Sequence, residues 1–234
     1  MSTQQPRKRR SPKGRSAAPL TRSARRRLRE REHRLETILK AAGTLFAEEG
    51  YHHTGMERIA DEAEVSVGTV YFYFKNKEDL LVQLLDRTGY ELRNLLGAAF
   101  RNADGTLEGF RNAGKVFFED FCPRNPEKIA LIFRESAGQS AVVEQHRKQI
   151  FAKLIDDLKA ALVSVAANLG TSRSELAIDV MAASILGMFE RLAYHYLIWQ
   201  DRRDDLAAVG EEAVDFIAGG IRNLLRTDPA DKEK

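Results

Sequence analysis

The sequence has one cysteine, Cys122, among 234 residues. It cannot close a disulfide within the chain, which excludes a disulfide-stapled scaffold and makes a reducing, cytoplasmic setting the simplest expectation. Long hydrophobic runs are also missing. Even the strongly apolar stretch from Met181 to Phe189 falls far short of the roughly 20 residues that a membrane-spanning helix needs, so no membrane is expected as a partner. The basic N-terminus has no apolar core behind it and does not read as a secretory signal. Proline is scarce and unevenly placed: Pro6, Pro12 and Pro19 fall early, and none follows until Pro123. No stretch shows the sustained alternation of a strand, and no internal repeat is found. At 43% hydrophobic and 30% charged residues, the composition is that of a globular protein.

The net charge of +3 hides an asymmetry. Residues 1–31 hold twelve basic residues and one acid, Glu30, whereas the remainder holds 25 basic and 33 acidic residues. An acidic body with a basic arm points to a polyanionic partner, and on charge alone DNA, RNA and anionic membrane all stay open. Residues 1–24 lack apolar periodicity and are expected to be a disordered basic arm, with a second disordered tail at 228–234. The arginine-rich stretch from Arg25 to Arg31 precedes the first helix expected from the periodicity. It suits either a flanking minor groove or a solvated helix face.

Helix signals follow in order. Leu35, Ile38, Leu39, Ala42, Leu45 and Phe46 share one helical face, and Gly50 is placed to end it. Thr54 and Glu57 have capping-box spacing, Ser66 is a cap for a short helix running to about Phe74, and Asn76 with Asp79 opens a long helix. Asn125-Pro126 reads as another helix start. Ser172 with Glu175 caps an apolar helix that runs to about Trp199. The expected fold is all-α: a three-helix helix-turn-helix DNA-binding domain over residues 25–80 and a helical ligand-binding and dimerisation domain over residues 81–227.

The informative segment runs from Thr54 to Leu81. Two short helices joined at Glu64-Val65-Ser66 have the spacing of a helix-turn-helix, whose second helix lies in the major groove. The words ILKAAGTLFAEEGYHHTGMERIADEAEVSVGTVYFYFKNKEDLL resemble the DNA-binding domain of the TetR family of repressors. The match is carried by Leu45-Phe46, Gly50-Tyr51, Thr54, Ile59-Ala60, Ala63, Val65-Ser66, Gly68-Thr69, Tyr71, Phe74, Lys77 and Leu80. It departs at Glu64, where glycine is usual, at Val67, where a basic or polar residue is common, and at Phe72-Tyr73, where an aromatic-histidine pair often sits; these departures are expected to change the operator sequence and not the fold. The resemblance implies a transcription regulator without cofactor, metal or catalytic residue, binding double-stranded DNA and a small-molecule effector, and pairing as a homodimer through its last two long helices.

Chemistry supports particular residues for those tasks. Tyr71 and Lys77 suit phosphate contacts, as do Lys75 and the capping hydroxyl of Thr54. Ser66, Val67, Thr69 and Phe72 are base-edge candidates, and Gly68 lets the backbone approach the groove. No arginine sits on the recognition helix for bidentate contact with guanine, so apolar contacts and DNA shape are expected to carry specificity. For the effector, Phe110, Phe117, Phe118, Phe121, Phe133 and Met188 offer an apolar lining, while Arg134, Arg191, Tyr194 and His195 can orient an anionic or polar group. The aromatic content favours a lipophilic effector, an acyl thioester or an aromatic compound. Two other classes fit the sequence less well. An enzyme lacks support: His52-His53, Glu57 and Asp61 supply no third metal ligand of good spacing, Ser136 and Ser140 lack a nucleophile elbow, and Cys122 has no base nearby in sequence. A non-specific architectural DNA binder explains the arm but not the large apolar C-terminal half.

Overall fold

The computed structural model describes residues 21–226. The expected disordered arm lies outside these residues up to position 20, as does the tail at 228–234. Among the described residues every regular element is helical and no strand occurs. The α-helices are α1 (Arg22–Glu48), α2 (Met56–Glu62), α3 (Val67–Tyr73), α4 (Lys77–Arg101), α5 (Leu107–Lys115), α6 (Cys122–Arg124), α7 (Pro126–Ala130), α8 (Ala141–Asn168), α9 (Glu175–Ala193) and α10 (Leu206–Arg226). Three π-helical turns, Val116–Phe121, Leu131–Glu135 and Tyr194–Trp199, extend α5, α7 and α9.

The described chain divides into two units between Glu36 and Thr37, and the division falls within α1. This helix starts earlier than apolar periodicity predicts. Residues 22–24 are helical rather than part of a disordered arm, and Arg25 to Arg31 lie within α1 rather than ahead of it. The start is capped: Thr21 Oγ1 accepts from the amide of Ala24 at 3.2 Å. Arginine is a good helix former, so the helix needs no apolar face over these turns. Burial in α1 begins only at Ile38, and Ile38, Leu39, Ala42, Leu45 and Phe46 then enter the core of the second unit.

Within residues 37–234 the expected domain boundary at 80/81 falls inside α4, a single helix of 25 residues shared by both halves. Its opening is fixed reciprocally. Asn76 Oδ1 accepts from the amide of Asp79 at 2.8 Å, and Asp79 Oδ2 accepts from the amide of Lys75 at 2.9 Å. Helix α4 packs against α5 and α8, α5 against α10, and α8 against α9. Phe110, Leu162, Ala182, Ile185, Ile217 and Ile221 are core members at these crossings. Two close crossings need glycine: a Cβ on Gly114 would strike Val214, and one on Gly210 would stand 2.6 Å from Phe118 Cβ. The cap of α9 is Ser174, whose hydroxyl accepts from Ala177 N at 3.2 Å, and not Ser172.

Candidate nucleic-acid interface and ligand cavity

The helix-turn-helix is built from α2 and α3. Ile59, Ala60, Val70 and Phe74 are fully buried between the helices of this module. The turn closes through Val65 N to Ala60 O at 3.0 Å and Glu64 N to Asp61 O at 3.1 Å. Glu64 has φ +53°, a left-handed conformation that costs a side-chain-bearing residue about 1–2 kcal/mol. Its departure from glycine therefore acts on the backbone of the turn, which keeps its geometry, rather than on base reading. Ser66 caps α3 as expected: its hydroxyl accepts from Thr69 N at 3.1 Å and lies 2.8 Å from Thr69 Oγ1.

The outer face of α3 is free. Phe72 is 73% exposed and Tyr71 50% exposed, an unusual state for two aromatic side chains on a seven-residue helix. Ser66, Gly68 and Lys75 are exposed as well, and Val67 and Thr69 are half-buried.

Two residues expected at the phosphates have other tasks. Thr54 is 1% exposed. Its hydroxyl donates to Gly50 O at 3.0 Å, with Leu45 O at 3.3 Å, so it ties the end of α1 to the start of α2 and caps nothing. The N-cap of α2 is Gly55, without a side-chain cap. Lys77 is half-buried. Its ammonium donates to Tyr51 O at 2.7 Å and Thr54 O at 3.0 Å, with His52 O at 3.4 Å, and sits 4.4 Å from the centre of the Tyr51 ring. An ammonium has three protons, and three carbonyls surround this one, so none is left for a phosphate. Burial pushes the Lys77 pKa down.

The second half encloses an open cavity of about 400 Å³ between α4, α5, α8 and α9. Leu96, Phe100, Phe110, Leu158, Ile185 and Phe189 give it apolar walls, and Tyr90, Arg93, Asn94, Arg101 and Asp157 are its polar lining. Arg93 clasps Asp157 with two hydrogen bonds, 2.6 and 2.9 Å, across α4 and α8. Arg101 pairs with no acid among the described residues; its guanidinium lies back over Gly97, where a Cβ would stand 3.0 Å from it.

Of the ten lining residues expected from sequence, only Phe110 lines this cavity. Phe117, Phe118 and Phe121 are buried instead; Phe117 and Phe118 pack on Phe189 with ring centres 5.3 and 5.1 Å apart. All three lie buried on the π-helical turn Val116–Phe121, and Phe118 sits at the close crossing with Gly210 of α10. Met188 packs on the core, and Phe133 faces Phe151 at 6.1 Å. The polar set gathers elsewhere, at the end of α9. Arg134 donates to Tyr194 Oη at 2.8 Å, Arg191 lies 5.2 Å from the Trp199 ring, and His195 lies 5.8 Å from that ring. Sequence reasoning missed the α4 wall, although Leu92, Leu96 and Phe100 continue one helical stripe past the DNA-binding module.

Residues 38–84 match the sequence model of the bacterial regulatory proteins of the tetR family. Residues 38–84 are thus a helix-turn-helix DNA-binding module of the tetR type. DNA binding and transcription regulation are the functions that this module and the curated relatives support. Among curated relatives, the HTH-type transcriptional activator FasR of Mycolicibacterium smegmatis is 28% identical over 198 residues, spanning 84% of this chain and 87% of the relative. Among solved structures, the fatty acid degradation regulator FadR from Bacillus halodurans has a TM-score of 0.72 at 22% identity, covering 81% of this chain and 96% of that one. The regulator FadR from Bacillus subtilis, solved in complex with stearoyl-CoA, has a TM-score of 0.64 at 21% identity over 79% of this chain and 98% of that one. These structural likenesses show a shared fold over about four-fifths of the chain.

No helix among the described residues is long and apolar enough to cross a membrane. No cluster of three or more metal-ligating side chains occurs among them.

Proposed function

We propose that this protein is a TetR family repressor that binds a palindromic operator as a homodimer and releases it when a lipophilic acyl thioester enters the cavity of α4, α5, α8 and α9. The observation that carries the effector class is the cavity itself. Its walls are apolar, its volume of about 400 Å³ lies within the ~300–1,000 Å³ typical of ligand pockets, and an unpaired arginine, Arg101, stands in its lining. A long apolar tail with an anionic head matches that arrangement. The FadR of Bacillus subtilis, solved with stearoyl-CoA, supports the same class.

On the DNA side, Phe72, Tyr71, Ser66, Gly68 and the outer edges of Val67 and Thr69 form the reading face, with Lys75 at the phosphates. Exposed Phe72 and half-buried Val67 suit thymine methyl groups. Dimerisation is assigned to α9 and α10. Leu176 (73% exposed), Val180, Phe216 (71% exposed) and Leu224 stand out from these two helices with nothing covering them in one protomer. Gly187, Gly219 and Gly220 face open space there, as close helix crossings to a second copy require. Burying each large side chain stabilises the pair by about 1.5–3 kcal/mol. Because α4 both starts at the DNA-binding module and walls the cavity, a ligand that shifts it changes the distance between half-site helices, which one turn of DNA sets at about 34–36 Å.

The test is to capture genomic fragments with the purified protein, sequence them, and titrate acyl-CoA thioesters against the recovered site. A palindrome released by long-chain acyl-CoA is expected. Uniform recovery without a motif overturns the specific-operator reading. Release by no thioester overturns the effector class, and tighter binding with thioester makes the protein a ligand-dependent binder of its operator.

A further inference from the structure

The first four turns of α1 carry a feature that the regulator reading leaves unused. From Arg22 to Arg34 the helix holds seven arginines against two glutamates. Arg22, Arg25, Arg26 and Arg29 recur at i, i+3, i+4 and i+7 and so share one face about 10 Å long. All four are exposed. Arg26 pairs with Glu30 at 2.8 Å, whereas Arg22, Arg25 and Arg29 pair with no acid among the described residues.

This face is electrostatically unfavourable for the helix that bears it. The N-terminal end of a helix carries partial positive charge and favours acidic side chains. Here the first turn has no acid and begins with Arg22. Like charges at i, i+3 and i+4 repel further. The helix is nevertheless formed and capped by Thr21. A bound polyanion would relieve both penalties at once. Six more basic residues lie between Arg7 and Arg15 in the sequence. The same helix, without a break, supplies the buried residues of the DNA-binding module from Ile38 onward.

We propose that the arginine face of Arg22, Arg25, Arg26 and Arg29 is a second DNA contact, which holds backbone phosphates of duplex DNA independently of base sequence and adds to the affinity of the helix-turn-helix. Arginine forks suit phosphate oxygens, and they carry no base information when so used.

The experiment uses the full chain, a variant with all four arginines changed to glutamine, and a control with Lys115, Lys148 and Lys153, exposed residues of the second half, changed to glutamine. Binding to a random 30-base-pair duplex and to the recovered operator is followed by fluorescence anisotropy across a salt series. Each phosphate contact contributes about 0.9 to the slope of log K against log salt. The four-arginine variant is therefore expected to lose up to about 3–4 of slope per bound protomer, equally on both duplexes, while the lysine control keeps its slope. The four Arg→Lys changes are expected to restore most of the slope. Far-UV circular dichroism of each variant verifies that α1 stays helical.

An unchanged slope on random DNA overturns the proposal, as does a loss confined to the operator, which indicates base reading. Binding to anionic phosphatidylglycerol vesicles that depends on these arginines, with DNA slopes unchanged, also overturns it in favour of a lipid surface. The random-duplex result stands whether or not a specific operator is found, so the two readings fail separately.

Discussion

Changing Lys77 to methionine separates the structural task of this lysine from the phosphate task that its position in the motif suggests. The ammonium holds the segment between α1 and α2 against the start of α4 through Tyr51 O and Thr54 O, at 2.7 and 3.0 Å, and through the Tyr51 ring. A hydrogen bond from a charged donor is worth about 1.5–3 kcal/mol net, and a cation over an aromatic face about 0.5–1 at an exposed site. Burial of the ammonium, which lowers its pKa, offsets part of this gain. Methionine preserves the length of the stem, so the loss is that of the polar contacts and amounts to about 2–3 kcal/mol. For a chain of this size each kcal/mol moves the melting temperature by roughly 2–4 °C, which places the expected fall at about 5–10 °C. Differential scanning calorimetry without DNA measures it. Anisotropy on random duplex, below the lowered transition, then gives the salt slope, which is expected to stay at the wild-type value. A melting temperature unchanged within about 1 °C, together with a slope smaller by about 0.9, would refute the reasoning and return Lys77 to the phosphates.

Three further predictions rest on other features. Glu64→Gly removes a left-handed strain of about 1–2 kcal/mol and loosens the unfolded chain by about 0.4–1, so a gain of up to ~1.6 kcal/mol is expected in a urea titration, and a loss would mean that the Glu64 side chain holds the turn. In the cavity, each methylene buried adds about 0.8 kcal/mol, so calorimetric affinity for acyl-CoA should rise roughly 15-fold for every two carbons until the walls are filled; a flat series removes the apolar cavity as the site. Gly114→Ala should cost the protomer about 1–3 kcal/mol by overpacking against Val214, whereas Gly187→Ala meets nothing within 4 Å in one protomer; sedimentation should show Gly187→Ala weakening self-association only, and an unchanged dimer would move the interface elsewhere.

Local chemistry was the part of this fold that could be read directly. Ser66 and Asn76 are caps in the structure because their oxygens accept from amides in the first turn of their own helix. The same spacing misled at Thr54. Nothing in T-x-x-E records that a buried threonine faces carbonyls from the end of the previous helix, as Thr54 does. The start of α1 was missed for a related reason. Apolar periodicity detects helices that pack, and the turns from Arg22 to Arg34 bury nothing. On α3 the residue types alone said less: Phe72, a base-edge candidate, stands 73% exposed while Phe74 two residues later is fully buried. The cavity was the least legible element. Counting phenylalanines located the aromatic helices, but which face of α5 meets α10 depends on a π-helical turn and on Gly114 and Gly210, features fixed by contacts distant in sequence. A cavity is a place where side chains fail to meet, and no residue type announces that.

Cys122, noted at the outset only for its isolation, has a consequence once its surroundings are known. The thiol is fully buried and burial pushes its pKa far up, so almost no thiolate exists at neutral pH. Thiolate is the reacting species in alkylation, oxidation and disulfide exchange. Burial and a raised pKa both slow the reaction of this sulfur with peroxide or glutathione while the protein stays folded. The same slowness makes the residue a clock: the rate at which a thiol reagent labels Cys122 counts how often the helices around it come apart.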